Sequence, residues 1–130
     1  MPVFDTEPLL TFYLDERGAD KVEEELRKIK RGENDGYLNV VNLTEFYYIF
    51  SRRDREITEE KVRNLKSYGV EIVPVKDDEL WIEAAKIKNV GGISLADAFA
   101  AATARVKGER LIVGYDEDFE GLGIPLVSIK

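Results

Sequence analysis

The sequence contains neither cysteine nor histidine. Without cysteine there is no disulfide, no thiolate nucleophile and no cysteine-ligated metal. Without histidine the usual general base, the usual zinc ligand and every Ser-His-Asp or Cys-His scheme are excluded. Any catalysis by this chain must therefore use carboxylates, lysine, tyrosine, hydroxyl groups or a hard cation that is bound through oxygen.

Basic residues are outnumbered by acidic ones. The chain has 19 Lys and Arg against 26 Asp and Glu, which gives a net charge of −7 at pH 7. A protein that coats nucleic acid over a wide surface would carry a basic surplus, so this class is disfavoured. A small acidic site that is neutralised by a metal ion remains compatible with the charge.

Long apolar runs are also missing, so we expect no membrane-spanning segment and no membrane partner. Residues 1–6, MPVFDT, lead into an apolar strand without the apolar core of a signal peptide, which favours a cytoplasmic location. The length of 130 residues suffices for one hydrophobic core, and we predict a single domain over residues 1–130.

Apolar runs that are typical of strands alternate with helical patterns along the chain. Strands are predicted over residues 2–5, 37–41, 70–75, 111–113 and 125–129, the last at a sheet edge because it begins with Pro125. The predicted helix starts are Thr6, Ala19, Asn42, Thr58, Asp77 or Asp78, and Ser94. This alternation predicts an α/β domain with a mostly parallel sheet of about five strands.

The sequence between residues 91 and 119 organises the rest. Ser94 opens an alanine-rich helix with Asp97 in its first turn, and Gly108 ends that helix. A buried strand follows and delivers Asp116 and Asp118 just past its carboxyl end. Because the helix runs opposite to a parallel strand, Asp97 should lie at the same edge of the sheet as Asp116.

Other acids should reach the same edge. Asp5 ends the first strand, and Glu45 lies in the first turn after the second. Like charges so close repel by roughly 1 to 4 kcal/mol per pair at about 4 Å. No basic residue lies nearby in sequence, so a divalent cation is the natural compensation. Carboxylates without histidine indicate Mg2+ or Mn2+, and two such ions could clamp a phosphodiester.

Structural explanations of these acids stay open. Asp97 and Glu45 could serve only as capping residues after Ser94 and Asn42. Asp116 and Asp118 could be turn residues, and Thr6 could be a helix cap rather than a group that positions water or substrate. The convergence of the acids on one edge is what favours a site.

The helix that carries Glu45 is unusually rich in aromatic residues. Residues 46–50, FYYIF, wrap around more than one helix face and cannot all point into one core. They indicate either a fully buried helix or a surface that contacts a second copy or a partner protein, where aromatic residues are enriched.

Four segments together make the sequence resemble PIN-domain proteins. They are VFDT (3–6), NLTEFYY (42–48), ISLADAFAAATA (93–104) and IVGYDEDF (112–119). In chain length the sequence is similar to the VapC-type toxins of toxin–antitoxin pairs. One departure is that Gly114-Tyr115 replaces the usual Thr-Gly or Ser-Gly pair.

The resemblance implies a three-layer Rossmann-like fold and a metal-dependent ribonuclease. Its acidic quartet would be Asp5, Glu45, Asp97 and Asp116, with Asp118 as an accessory acid. It also implies a homodimer and an antitoxin whose tail covers the active site; an acidic site suits a basic tail. Two alternatives stay open: a PIN fold that only binds or scaffolds, and a metal-dependent phosphatase acting on small molecules.

Overall fold

A computed structural model describes residues 2–115 and 117–130 and shows one sheet of five strands flanked by helices. In chain order the elements are β1 (Pro2–Phe4), α1 (Thr6–Tyr13), α2 (Ala19–Lys30), β2 (Tyr37–Asn39), α3 (Val40–Ser51), α4 (Arg55–Ser67), β3 (Glu71–Val73), α5 (Asp78–Val90), α6 (Leu95–Lys107), β4 (Arg110–Val113), a 3-10 turn (Glu117–Phe119) and β5 (Leu126–Ser128).

The sheet is parallel throughout, with the order β3-β2-β1-β4-β5. In the centre, Val3 of β1 lies opposite Tyr37 of β2 on one side and Leu111 of β4 on the other. All carboxyl ends therefore meet at one edge, and Asp5 follows the central strand there. The predicted parallel sheet and the edge position of the last strand are confirmed.

Apolar layers cover both faces of the sheet. Val3, Leu111 and Val113 pack with α5 and α6, whereas Phe4 and Ile112 pack with the helices α1 to α4. Consecutive residues of a strand point to opposite faces, so the short continuous apolar runs serve both cores. The predicted three-layer α/β fold is confirmed.

The start of α3 differs from the prediction. Its N-cap is Asn39, whose side-chain oxygen accepts the N–H of Val41 at 2.8 Å, and the strand ends there instead of at residue 41. Asn42 lies inside the helix, so the predicted capping box of Asn42 with Glu45 is wrong. The β-branched pair Val40-Val41 favours a strand locally, but the cap at Asn39 and tertiary burial prevail.

The predicted start of α4 at Thr58 and the predicted cap of α1 at Thr6 are also wrong. Asp54 caps α4 by accepting the N–H of Ile57 at 3.1 Å, while Thr58 is buried within the helix and donates to the Asp54 carbonyl at 2.6 Å. In α1 the N-cap is Asp5 and Thr6 is the first helical residue. In each case an earlier polar residue takes the capping position. The strands β3 and β5 are also shorter than the predicted ranges 70–75 and 125–129.

Helix α6 confirms the prediction in detail. Ser94 and Asp97 form a reciprocal capping box, and Gly108 ends the helix in the left-handed region at φ 68°. The helix contacts β1, β2 and β4, and its alanines on that side are fully buried. Small side chains let α6 lie close to the sheet, which brings its first turn to the carboxyl edge.

The aromatic helix α3 is neither fully buried nor fully exposed. Phe46 and Phe50 lie in the core, whereas Tyr48 and Ile49 are exposed. The prediction that these residues cannot share one core is confirmed. None of the helices in the described part of the chain has the length and apolar character that a membrane span requires.

Candidate active site

Asp5 lies at the centre of the carboxyl edge. Its backbone N–H donates to the carbonyl of Ile112 at 2.9 Å, so Asp5 stays tied to β4 after β1 has ended. Its side chain makes no capping hydrogen bond with α1, although the residue is the N-cap. Only 4% of the residue is exposed. A carboxylate in this position is poorly hydrated.

Asp97, in the first turn of α6, lies at the same edge of the sheet. It is half-buried, its N–H donates to the Ser94 hydroxyl oxygen at 3.1 Å, and its carboxylate accepts the N–H of Ser94 at 3.4 Å. Its side chain also contacts the carboxyl of Asp5. The juxtaposition of Asp5 and Asp97 predicted from topology is confirmed.

The pKa of Asp5 is raised well above its ordinary value. Burial is the largest cause, followed by the negative charge of Asp97, while the backbone N–H of Thr6 acts in the opposite direction. A hydrogen bond with Asp97 and the charge of Glu45 also raise the pKa of Asp5. Glu45, half-buried in the second turn of α3, is therefore close enough to interact with Asp5.

These acids have no basic partner in the part of the chain that the structure describes. None of the ion pairs within residues 2–115 and 117–130 includes Asp5, Glu45 or Asp97. Lys130 pairs with Glu7 at 3.2 Å instead. Burial and the neighbouring negative charges therefore act on Asp5 without a counter-charge from the described residues.

Of the two remaining predicted acids, the structure describes only Asp118, and it does not lie in this group. Asp118 lies on the 3-10 turn and is exposed. Asp116 lies outside the described residues. Among the residues that are described, no three His, Cys, Asp or Glu side chains stand close enough together to hold a metal ion. Asp97 and Glu45 are thus the acids whose charges act on Asp5.

Asn42 belongs to this site, although the sequence analysis treated it only as a helix cap. Its side-chain nitrogen lies 3.4 Å from Asp5 Oδ1, 3.1 Å from Thr6 Oγ1 and 3.1 Å from the carbonyl of Ala96. It thereby links α3 to the start of α1 and to the first turn of α6. The available signal is a single amide inside the apolar run of residues 40–43, VVNL.

The donor set fits a hard divalent cation. The side-chain oxygen of Asn42 is buried and has no hydrogen-bond partner among the described residues, beside a carboxylate pair that lacks a positive charge. Carboxylate and amide oxygens are the ligands that Mg2+ and Mn2+ take in proteins. Thr6 lies at the same place, because its hydroxyl oxygen accepts a hydrogen bond from the side-chain amide of Asn42.

Gly114, where a hydroxyl residue is usual in the resembling proteins, lies against Glu7. A side chain at this position would meet the Glu7 carboxylate, so that this flexible side chain would have to move. Glu7 accepts from Lys130 Nζ at 3.2 Å, and the Lys130 N–H donates to the Gly114 carbonyl at 3.1 Å. An ion pair thus takes the space that a Thr or Ser side chain would occupy.

Comparisons with known proteins agree with this architecture. The sequence model of the family described as PIN domain matches residues 3–124. A comparison with curated proteins finds no match. Among solved structures, the chain is similar to one from a toxin–antitoxin complex of Klebsiella pneumoniae, with a TM-score of 0.78, 17% identity, and coverage of 100% of this chain and 98% of that chain.

Two other solved structures have the same fold. One is VapBC2 from Rickettsia felis bound to a DNA fragment from its promoter, with a TM-score of 0.77, 16% identity and coverage of 98% and 97% of the two chains. The other is FitAcB from Neisseria gonorrhoeae, with a TM-score of 0.76, 17% identity and coverage of 99% and 98%. At this identity the likeness establishes the fold.

The raised pKa of Asp5 predicts a pH dependence of stability in metal-free protein. Because the folded-state pKa lies above the unfolded one, stability is greatest when Asp5 is protonated and falls as pH rises through the folded pKa. We expect Asp5→Asn to remove this fall, so its melting temperature should exceed that of the wild type increasingly toward neutral pH. Thermal denaturation with a chelator, with exposed Glu60→Gln as control, measures this; equal pH profiles would contradict it.

Variants of two buried asparagines can distinguish a role in the site from a purely structural role. Asn42 contacts Asp5, whereas Asn39 caps α3 and donates to Thr103 Oγ1 at 2.9 Å. Replacing either by Ala should cost about 1–3 kcal/mol, because buried partners lose their hydrogen bonds. Only Asn42→Ala should also reduce the Mn2+-induced rise in melting temperature. An equal rise in both variants would show that Asn42 is purely structural.

Proposed function

Because this chain belongs to the PIN-domain family, we propose that it is a metal-dependent endoribonuclease, the toxin of a toxin–antitoxin pair. The observation that carries the proposal is the Asp5–Asp97 pair. Two carboxyls distant in sequence lie together at the carboxyl edge of the sheet, where ligands of parallel α/β folds bind. A purely structural role does not explain why the buried Asp5 faces Asp97 without a basic residue beside it among the described residues.

Each acid is given a role that suits the chemistry of a carboxylate. Asp5 and Asp97, with Asp116, hold the principal Mg2+ or Mn2+. Glu45 orients a second ion or the attacking water, and Asp118 is an accessory acid. When bound, the cation lowers the pKa of water and offsets charge that develops on the phosphodiester. Asp5 must lose its proton to act as a ligand, so binding weakens as the pH falls.

Positioning falls to the polar residues around Asp5. The Asn42 side-chain amide donates to the Thr6 hydroxyl oxygen at 3.1 Å and also to the Ala96 carbonyl. This network holds the start of α1 against the first turn of α6, so it fixes the separation of Asp5 from Asp97. Thr6 then orients water or substrate phosphate beside Asp5.

We further propose the setting in which this activity operates. Residues 1–130 form one PIN-like domain that assembles as a homodimer in the cytoplasm. Its partner is an antitoxin with a basic tail, which the similarity to chains of toxin–antitoxin complexes supports. An arginine can bridge two carboxylates, and the pair of Asp5 and Asp97 offers such a target.

The capping box makes Asp97→Asn and Ser94→Ala an informative pair of variants. Asp97→Asn keeps a side-chain acceptor but removes a ligand charge, so we expect it to abolish RNA cleavage and the metal-induced stabilisation without destabilising the apo protein. That stabilisation approaches about 2.7 kcal/mol at a hundredfold excess over the dissociation constant. Ser94→Ala should cost about 1 kcal/mol of stability and keep both cleavage and metal response.

Melting curves with and without Mn2+, and cleavage of single-stranded RNA, measure these effects. If Asp97→Asn loses apo stability as Ser94→Ala does and still cleaves, Asp97 is only a cap. If the wild type binds metal but cleaves nothing, the chain is a binding module. If it hydrolyses a generic phosphate ester but no RNA, it is a phosphatase.

The antitoxin proposal predicts that the acids contribute to inhibition. Neutralising Asp5 and Asp97 together should weaken binding of the cognate antitoxin, because basic side chains of its tail lose their carboxylate partners. Calorimetric titration of the purified partner into wild-type and variant protein measures the change, with the double replacement of the exposed Glu56 and Glu60 by Gln as a charge-matched control. Undiminished binding by the double variant would contradict the proposed contact.

A further inference from the structure

One face of α3 leads away from the acidic pair. Val41, Glu45, Tyr48 and Arg52 follow at spacings of four, three and four residues, which places them in one row along the helix. We call this row the α3 strip. From Glu45, whose charge acts on Asp5, the row extends by about 10 Å to Arg52 at the helix end.

The strip borders an open groove that starts at the acids. The groove has a volume of about 370 Å3 and is lined by Val41, Thr44, Glu45, Tyr48, Leu95 and Ala96. Tyr48 is 51% exposed and Leu95, the first residue of α6, is 57% exposed. Glu45 belongs both to this groove and to the charge environment of Asp5, so a ligand in the groove is continuous with the candidate active site.

The far end of the strip carries unpaired positive charge. The Arg52 guanidinium lies over the Tyr48 ring, 4.7 Å from its centroid. Neither Arg52 nor the neighbouring exposed Arg53 forms an ion pair with any residue that the structure describes. Most other arginines of the described chain, such as Arg105 and Arg110, are paired with a glutamate.

We propose that the α3 strip and its groove hold single-stranded RNA next to the cleavage site, with a base stacked at Tyr48 and a phosphate at Arg52. This inference rests on the proposed ribonuclease function. A polyanion that must approach a cluster of acids on a chain of net charge −7 needs cationic contacts just outside that cluster. An exposed aromatic ring beside a guanidinium is the combination that binds unpaired bases with little sequence preference.

A second copy of this chain is the competing occupant, because Val41, Leu95 and Tyr48 offer apolar area. The charges favour RNA: an apolar partner surface would leave Arg52 and Glu45 without matching groups, whereas RNA supplies a phosphate to one and brings the scissile group to the other. The oligomeric state therefore forms part of the test.

The test measures binding of a fluorescent single-stranded RNA of about 12 nucleotides to the full chain with Asp97→Asn, together with kcat and KM of cleavage by chains that keep Asp97. Tyr48→Leu keeps apolar bulk but removes the ring face, and we expect the dissociation constant and KM to rise about fivefold or more, with kcat unchanged. Tyr48→Phe should bind like the unsubstituted protein. Arg52→Gln should lower the slope of log K against log salt by about 0.7, the value of one single-strand phosphate contact.

Tyr47→Leu is the matched control, because Tyr47 lies beside Tyr48 on the helix but its hydroxyl donates to Glu59 of α4 at 3.1 Å. It should leave RNA binding unchanged. The Mn2+-induced rise in melting temperature should be the same in all strip variants, since none removes a proposed metal ligand.

The outcomes separate this inference from the function on which it rests. If the wild type cleaves RNA but Tyr48→Leu behaves like Tyr47→Leu, the α3 strip is not an RNA surface and the ribonuclease stands. If the wild type neither binds nor cleaves RNA, both are overturned. If Tyr48→Leu converts a dimer into a monomer in sedimentation, the strip belongs to a second copy and the RNA assignment is overturned.

Discussion

The repulsion between acids at the carboxyl edge of the sheet is the constraint on which the rest of the structure depends. Asp5 is almost completely buried, and both Asp97 and Glu45 add negative charge to its surroundings. Such an arrangement lowers the free energy of unfolding while the groups are ionised, since the described residues supply no counter-charge. A buried carboxyl group whose pKa is raised by its surroundings is typical of functional sites.

The polar network around Asn42 makes this arrangement rigid. One fully buried amide contacts Asp5, the Thr6 hydroxyl and the Ala96 carbonyl, so three helices meet through a single side chain. The capping box of Ser94 with Asp97 holds the other acid. Asp97 thus serves two purposes at once: it stabilises the first turn of α6 and it faces Asp5. Structural and functional explanations of this residue are therefore compatible.

The chain also shows how a PIN domain accommodates a local change. Gly114 leaves room for the carboxylate of Glu7, and the Glu7–Lys130 ion pair fills the space. The same pair engages Lys130 with Glu7 and not with the acids of the site. Arg52 and Arg53, in contrast, keep their charge available at the end of α3.

Local sequence signals predicted the order of elements, the parallel sheet, the capping box of α6 and the meeting of Asp5 with Asp97, because each depends on short-range chemistry or on the direction of the chain. They failed at the starts of α3 and α4, where a second residue that can cap a helix lies three or four positions earlier. Asn42 and Thr58 are buried inside the helices, and Asn39 and Asp54 are the caps. The site role of Asn42 was beyond local reasoning, since its partners lie 36, 37 and 54 residues away in sequence. Likewise the exposure of Tyr48 beside Arg52 depends on which side of α3 packs against its neighbours, and only tertiary packing decides that.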